Sequence, residues 1–117
     1  MPKTYQPKRR ALDPCPFEEV LALVGGKWKA RILHALWWAP LRFAELRRSV
    51  GTISQQVLSA QLAALIAHQL VEREQEVGVY RLTAQGASLL TALMPAALWG
   101  DRRIRERGET PRPLAPP

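Results

Sequence analysis

The chain has 117 residues, of which 47% are hydrophobic and 23% charged, a composition that fits one globular domain and excludes a disordered or fibrous chain. Its single cysteine, Cys15, excludes an intrachain disulfide and a cysteine-rich metal site. The formal net charge of +7 favours an anionic partner.

The chain begins and ends in basic segments. Residues 1–10 carry four basic and no acidic side chains, and residues 101–117 carry five basic and three acidic ones. We therefore expect a basic flexible tail over residues 1–12, a folded domain over 13–100, and an Arg/Pro-rich flexible tail over 101–117. No apolar run reaches the length of a membrane span, and no apolar segment follows the basic N-terminus as in a signal peptide. A cytoplasmic location without a membrane partner is expected.

Two helices are predicted at the start of the domain. The first begins at Pro16, because proline is tolerated in the first turn of a helix, and ends at Gly25-Gly26. The second covers about residues 28–39, and its apolar residues recur every four positions as a buried stripe. Trp38 falls outside this stripe and is expected to be exposed. The stripe consists of Trp28, Ile32 and Leu36.

A helix-turn-helix follows. A short helix over about residues 42–49 and a break at 50–52 precede Ser54, which is a good N-cap for a fourth helix reaching about Gln69. A short helix, a turn with a glycine and a longer helix are typical of this motif. The predicted apolar face of the fourth helix is Leu58, Leu62, Leu65 and Ile66.

The last elements predict a wing. Residues 70–76 and 79–82 flank Gly78 as two short strands of a β-hairpin. Thr83 caps a final helix, which Pro95 is expected to kink or split. The fold class is therefore mainly α with a small β-hairpin, a winged helix-turn-helix.

This order of elements favours binding to double-stranded DNA, because the major groove admits one exposed helix. The outward face of the fourth helix would read bases, while arginines of the third helix and the wing would contact phosphates. A helix face rich in alanine is equally suited to packing against another helix. The predicted base-reading residues are Ser54, Gln55, Gln56, Ser59 and Ala60, and the phosphate-binding ones are Arg42, Arg47, Arg48, Arg73 and Arg81.

The order and spacing of several short stretches resemble the HxlR-type family of winged helix-turn-helix transcriptional regulators. They include Cys15-Pro16, Gly25-Gly26-Lys27-Trp28, Arg42-Phe43, Leu70-Val71-Glu72-Arg73, Tyr80-Arg81-Leu82-Thr83 and Trp99-Gly100. The resemblance implies a homodimer paired through the first and last helices, with two recognition helices on a palindromic operator. The wing between the strands is shorter than in typical members, so its contacts with DNA are in doubt. The predicted interface residues are Phe17, Leu21, Trp38, Leu93, Leu98 and Trp99.

The resemblance places Cys15 at the position where several members of that family carry a thiol that senses oxidants or electrophiles. Its place beside a helix N-terminus suits a reactive thiol, and the alternative is a small buried apolar residue. For Trp37 and Trp38 a dimer contact is favoured over a ligand cavity. The two histidines, His34 and His68, are predicted to be exposed helix residues rather than metal ligands. We find no pattern for a catalytic, metal or cofactor site, and no small-molecule ligand is identified. The hypothesis that competes with a DNA-binding regulator is a protein-interaction module that has lost DNA readout.

Overall fold

The computed structural model describes residues 13–115; the predicted N-terminal tail, residues 1–12, lies outside this range. Five helices and a three-stranded antiparallel sheet form a winged helix-turn-helix, as predicted. The elements are α1 (Pro16–Val24), α2 (Lys29–Trp38), β1 (Leu41–Arg42), α3 (Phe43–Val50), α4 (Gln55–Ala67), β2 (Val71–Glu74), β3 (Val79–Leu82) and α5 (Ala84–Glu106).

The first two helices begin and end where the sequence predicts. Pro16 opens α1, and the N–H of Gly25 donates to the Leu21 carbonyl oxygen over 2.7 Å at its end. A Cβ on Gly25 would lie 2.5 Å from that oxygen, so this close turn requires glycine. Trp28 precedes α2 as its N-cap and is only half-buried, which places it at the edge of the core rather than inside it.

The helix-turn-helix consists of α3 and α4, whose axes are bent by 103°. Gly51 provides the turn with a φ of 125°, a backbone conformation that residues with a side chain rarely adopt. The Ser54 hydroxyl oxygen accepts from the N–H of Val57 over 3.1 Å and caps α4, as predicted. This bend points α4 away from α3 and fixes its first turn.

The sheet has the order β1-β3-β2, so the predicted hairpin is present and gains a third strand. In the hairpin Val71 pairs with Leu82 and Arg73 with Tyr80, while Leu41 of β1 pairs with Tyr80 on the other side. The two-residue strand β1 is not predicted, because two residues are too short to show an alternating pattern.

The last helix is one continuous element, although Pro95 lies inside it. Of the two expected effects of this proline, a kink or a split, the split is therefore wrong. The predicted end of the folded domain at residue 100 also falls inside the helix, which continues to Glu106 and carries an Asp101–Arg105 ion pair of 2.9 Å in its last turns. A Cβ on Gly86 would lie 2.1 Å from the Leu70 carbonyl oxygen, so glycine permits the close approach of α5 to the segment between α4 and β2.

The segment after α5 returns to the body of the protein. Pro111 is buried, and the Arg112 guanidinium donates to the Ser49 carbonyl oxygen at the end of α3. The Leu114 carbonyl oxygen accepts from His34 Nε2 of α2 over 3.0 Å. We call residues 107–115 the C-terminal strap.

One core joins α2, α3, α4 and β2, with a single large side chain from α5. Ile66, predicted to belong to the apolar face of α4, is 39% exposed instead. No single helix among residues 13–115 is long and apolar enough to cross a membrane, and only α3 and α4 together, with their bend, would meet such a requirement. The buried apolar residues are Ile32, Leu33, Leu36, Leu46, Val50, Ile53, Leu58, Leu62, Leu65, Leu70, Val71 and Leu90.

Candidate nucleic-acid interface

The outward face of α4 carries no charged side chain, and its residues are small or polar apart from the exposed Ile66. Gln55, Gln56, Ser59 and Ala60 are all exposed, whereas the leucines on the opposite face are buried. Glutamine and serine can hydrogen-bond to base edges, and alanine can contact a thymine methyl group. The face therefore offers donors, acceptors and room for close approach.

Ser54 has a different position from its predicted neighbours on this face. Its oxygen is occupied by the cap of α4, so its main contribution is to hold the first turn of the helix. Arg47 acts beside it, since Nε of Arg47 donates to the Ile53 carbonyl oxygen over 2.7 Å. This bond ties the end of α3 to the residue before the cap. Both residues thus orient α4 relative to α3.

Arg42 and Arg48, also predicted to bind phosphates, lie in different places. Arg42 is exposed at the start of α3, where its N–H donates to Glu45 Oε1 over 2.8 Å and its Nη1 to the Val77 carbonyl oxygen over 3.0 Å. It therefore links the helix-turn-helix to the hairpin turn. Arg48 instead lines a cavity between α2, α3 and the C-terminal strap, beside Ser49.

The wing is acidic rather than basic. It carries Glu72, Glu74 and Glu76 against two arginines, Arg73 and Arg81. Arg81 forms an ion pair with Glu74, which reduces the positive charge that it can offer to a phosphate. Arg73 is exposed, and its guanidinium carbon lies 5.8 Å from the centre of the Tyr80 ring. Of the two predicted wing contacts, Arg73 is thus the freer one.

The predicted interface residues divide into two groups. Phe17 and Leu21 of α1 are 82% and 64% exposed, and Leu98 and Trp99 of α5 are 54% and 58% exposed. These four are large apolar side chains left in solvent by the protomer. The other two contact the protomer itself: Leu93 is half-buried and lines a small cavity with Leu114, and Trp38, 45% exposed, lines the cavity that contains Arg48.

Cys15 is the N-cap residue of α1 and is partly exposed. Its side chain makes no capping hydrogen bond, so the thiol is not used to hold the helix. Phe17, the most exposed of the apolar residues, follows two positions later. Within residues 13–115 no group of three potential ligands could hold a metal ion.

The C-terminal strap is the feature that the sequence patterns miss. Its contacts join residues 63 and 80 positions apart in the chain, Ser49 with Arg112 and His34 with Leu114. Periodicity in hydrophobicity reports local structure only, so it carries no signal for such contacts. Two of the prolines that suggest a flexible tail, Pro111 and Pro113, lie in the strap, and Pro111 is buried there.

Comparison with known proteins gives a consistent result. A family model described as HxlR-like helix-turn-helix matches residues 23–108. An HTH-type transcriptional regulator of Halalkalibacterium halodurans is 39% identical over 102 residues, which cover 82% of this chain and 90% of that protein. The HTH-type transcriptional regulator YodB of Bacillus subtilis is 34% identical over 102 residues, with the same two coverages of 82% and 90%.

Solved structures agree with the sequence relatives. Quinone-bound YodB of Bacillus subtilis superimposes with a TM-score of 0.68 at 34% identity, covering 75% of this chain and 99% of that one. The redox regulator HypR in its reduced form superimposes with a TM-score of 0.70 at 33% identity, covering 80% of this chain and 99% of that one. The similarity extends over nearly the full length of both solved chains.

Proposed function

The chain belongs to the HxlR family of helix-turn-helix transcriptional regulators, and on this basis we propose that it works in the cytoplasm as a homodimer that binds a palindromic double-stranded operator. The observation that carries the proposal is the outward face of α4. Its glutamines and serine are exposed while its leucines are fully anchored in the core. A helix offered in this way fits the major groove, and sequence choice would come from Gln55, Gln56 and Ser59.

The arginines are proposed to supply affinity rather than sequence choice. Arg42 and Arg73 are exposed at the edges of the helix-turn-helix and the hairpin, where phosphates flank a bound major-groove helix. Arg47 is held by the turn, and its role would be to orient α4. Two further arginines would contribute less to the affinity for DNA than their charge suggests. Arg81 is paired with Glu74, and Arg48 lines the strap cavity.

Pairing of two copies is supported by the apolar side chains on α1 and α5. Solvent exposure of Phe17, Leu21, Leu98 and Trp99 is costly unless a partner covers them, and large contiguous apolar patches mark interaction sites. A two-fold dimer presents its two recognition helices about one helical turn of DNA apart. The proposed operator is therefore a palindrome whose half-sites have that spacing.

We further propose that Cys15 makes the regulator responsive to oxidants or electrophiles. The thiol is partly exposed, free of any capping bond, and two residues from Phe17 at the proposed interface. YodB, a relative of this chain, has been solved with a bound quinone, and HypR is described as a redox regulator. Modification of Cys15 would alter the packing of α1 and hence the spacing of the recognition helices. No enzymatic role is assigned.

The decisive experiment measures binding of the protein to its own upstream DNA by fluorescence anisotropy, at physiological salt and with competitor DNA. Replacing Gln56 and Ser59 together by alanine should abolish the preference for the upstream duplex, since both side chains would contact base edges. The matched control is Gln85→Ala, an exposed glutamine on α5, which should leave the preference intact. If the unaltered protein binds the upstream DNA and the competitor DNA with equal affinity, the result would instead favour the protein-interaction module.

Cys15 is tested separately from DNA recognition. A quinone or diamide should change the DNA affinity of the unaltered protein, and Cys15→Ser should bind DNA normally but lose that response. A response that persists in Cys15→Ser rules out this thiol as the sensor and leaves the proposed DNA binding untouched.

A further inference from the structure

A cavity of about 520 Å³ lies between α2, α3 and the C-terminal strap. This volume falls within the range of roughly 300–1,000 Å³ that is usual for small-molecule sites. One wall carries Trp38 of α2, another carries Arg48 and Ser49 of α3, and the strap contributes Arg112 and Pro113. The cavity is thus built from three separate parts of one protomer, and it does not involve the outward face of α4 or the exposed residues of α1.

The charge of the cavity favours an anion. It is lined by two arginines, Arg48 and Arg112, and by one carboxylate, Glu45. Glu45 already accepts the N–H of Arg42 over 2.8 Å, and among the residues 13–115 neither cavity arginine forms an ion pair. Arg112 donates to the Ser49 carbonyl oxygen, a neutral acceptor that leaves its positive charge uncompensated.

The remaining lining favours a flat apolar body. Trp38 is 45% exposed, which leaves part of the indole surface free. Trp37 packs edge-on against it, with the ring centres 6.4 Å apart and the planes at 79°, so the Trp38 ring has a fixed neighbour. Leu41, Pro113 and three alanines complete the apolar part of the walls, and His34 is a further polar residue of the lining. An aromatic ring can stack on such an indole while its acidic group reaches the arginines.

From these features we infer that the cavity is an effector site for a small aromatic carboxylate, whose ring lies against Trp38 and whose carboxylate pairs with Arg48 and Arg112. Both guanidinium groups present hydrogen-bond donors in a planar arrangement that matches a carboxylate. Binding would compete with the Ser49 carbonyl oxygen for Arg112, and would therefore loosen the strap at the end of α3.

The site is placed to influence DNA binding, and this second half of the inference rests on the proposed function. Ser49 is the last residue but one of α3, and Gly51 of the helix-turn-helix turn follows it by two positions. The strap continues directly from α5, which carries Leu98 and Trp99 of the proposed interface. A ligand that moves the strap acts on both regions at once, and a change in DNA affinity requires only that it bind the two arrangements unequally.

The binding test uses 2-naphthoate as the probe and 2-naphthamide as its uncharged counterpart, both titrated calorimetrically into the full chain without DNA. The unaltered protein should bind the acid at least about tenfold more tightly than the amide. Arg48→Gln and Arg112→Gln should each weaken binding of the acid by about 10- to 100-fold, the usual worth of a charge-assisted hydrogen bond, and change binding of the amide little. Arg102→Gln, an exposed arginine of α5 outside the cavity, is the control.

The amide separates a specific effect from general damage to the fold, because a distorted cavity would lose both compounds equally. Equal affinity for acid and amide, equal binding by the two cavity variants and the control, or no binding at all would each overturn the site.

DNA affinity is then compared with and without 2-naphthoate. A change in the unaltered protein that disappears in Arg112→Gln supports the effector role, and binding of the acid without any change in DNA affinity overturns that role. Failure of the proposed function is seen separately, as absence of sequence-specific DNA binding before any probe is added.

Discussion

The helices α2, α3 and α4 differ from α1 and α5 in how their apolar side chains are covered. The first three supply Ile32, Leu46 and Leu58 among other fully buried residues, and their partners lie in the same protomer. In contrast α1 has no buried residue, and α5, although it has 23 residues, buries only Gly86 and Leu90. The apolar side chains of the first region are covered within one chain, whereas the second region leaves large apolar side chains exposed.

Because of this difference, substitutions that change the stability of the fold should lie in other helices than substitutions that change association. Burial of apolar surface stabilises a fold in proportion to the area removed from water. A change within α2, α3 or α4 should therefore affect the free energy of unfolding, and a change on the exposed faces of α1 or α5 should affect association. The wing resembles the first region in this respect, because Arg81 and Glu74 form an ion pair within one protomer.

The largest effect is expected for Leu58→Ala. Leu58 is fully buried, and truncation of such a leucine costs about 2–5 kcal/mol through lost contacts and the cavity left behind. Urea unfolding followed by circular dichroism measures the loss. The matched control is Val77→Ala in the hairpin turn, which is 47% exposed and should change the free energy of unfolding by less than about 0.5 kcal/mol. Equal effects of the two substitutions would contradict the division.

The next effect concerns association. Phe17→Ala and Leu98→Ala should each weaken dimer formation by about 1–3 kcal/mol, or roughly 5- to 150-fold, because each removes apolar surface from the proposed interface. Analytical ultracentrifugation over a range of concentrations measures the dissociation constant. Val77→Ala serves again as the control, being an exposed apolar residue of the hairpin turn, outside both α1 and α5. Dissociation constants that stay unchanged in both variants would place the interface elsewhere.

The same division explains what the sequence could reveal about the fold. The ends of the helices carry local signals, such as Pro16 at the start of α1, Gly25 at its end and Ser54 before α4, and the structure has the helices within one or two residues of those positions. The buried face of α4 follows from spacing as well. Ile66 is the exception, because at about 100° per residue it lies roughly 80° from Leu58 and reaches the edge of the apolar stripe. It is 39% exposed.

The features that the sequence did not reveal depend on contacts between distant residues. Gly100 and the following prolines suggest an end to the folded domain, yet α5 continues to Glu106 and the strap returns to α2 and α3. The bonds of Arg47 and Arg81 and the place of Arg48 beside a cavity are equally invisible in the sequence, because they are set by the folded structure. Residue type alone therefore does not show which arginines already make contacts within the protomer.

A smaller effect on stability is expected at the N-cap of α4, in the region formed by α2, α3 and α4. Ser54→Ala removes the acceptor for the Val57 N–H and should lower the free energy of unfolding by about 1 kcal/mol. Ser54→Asp keeps an acceptor at that position and should restore most of the loss in urea unfolding. A Ser54→Asp variant as unstable as Ser54→Ala would show that the hydroxyl does more than cap the helix.

The smallest change in stability, and the sharpest test of the wing, is expected for Glu74→Gln. The ion pair with Arg81 is well exposed, with 38% and 45% of the two side chains accessible, so its loss should cost no more than about 0.5 kcal/mol. DNA binding should respond more clearly, because the positive charge of Arg81 would no longer be offset by the adjacent Glu74 carboxylate. We expect a few-fold tighter binding at low salt and a log–log salt dependence steeper by about one unit. The control is Glu109→Gln, which removes a more exposed carboxylate, 62% accessible, paired with Arg107 beyond the end of α5. If both substitutions steepen the salt dependence alike, the gain reflects net charge alone, and the wing has no particular place in the contact with DNA.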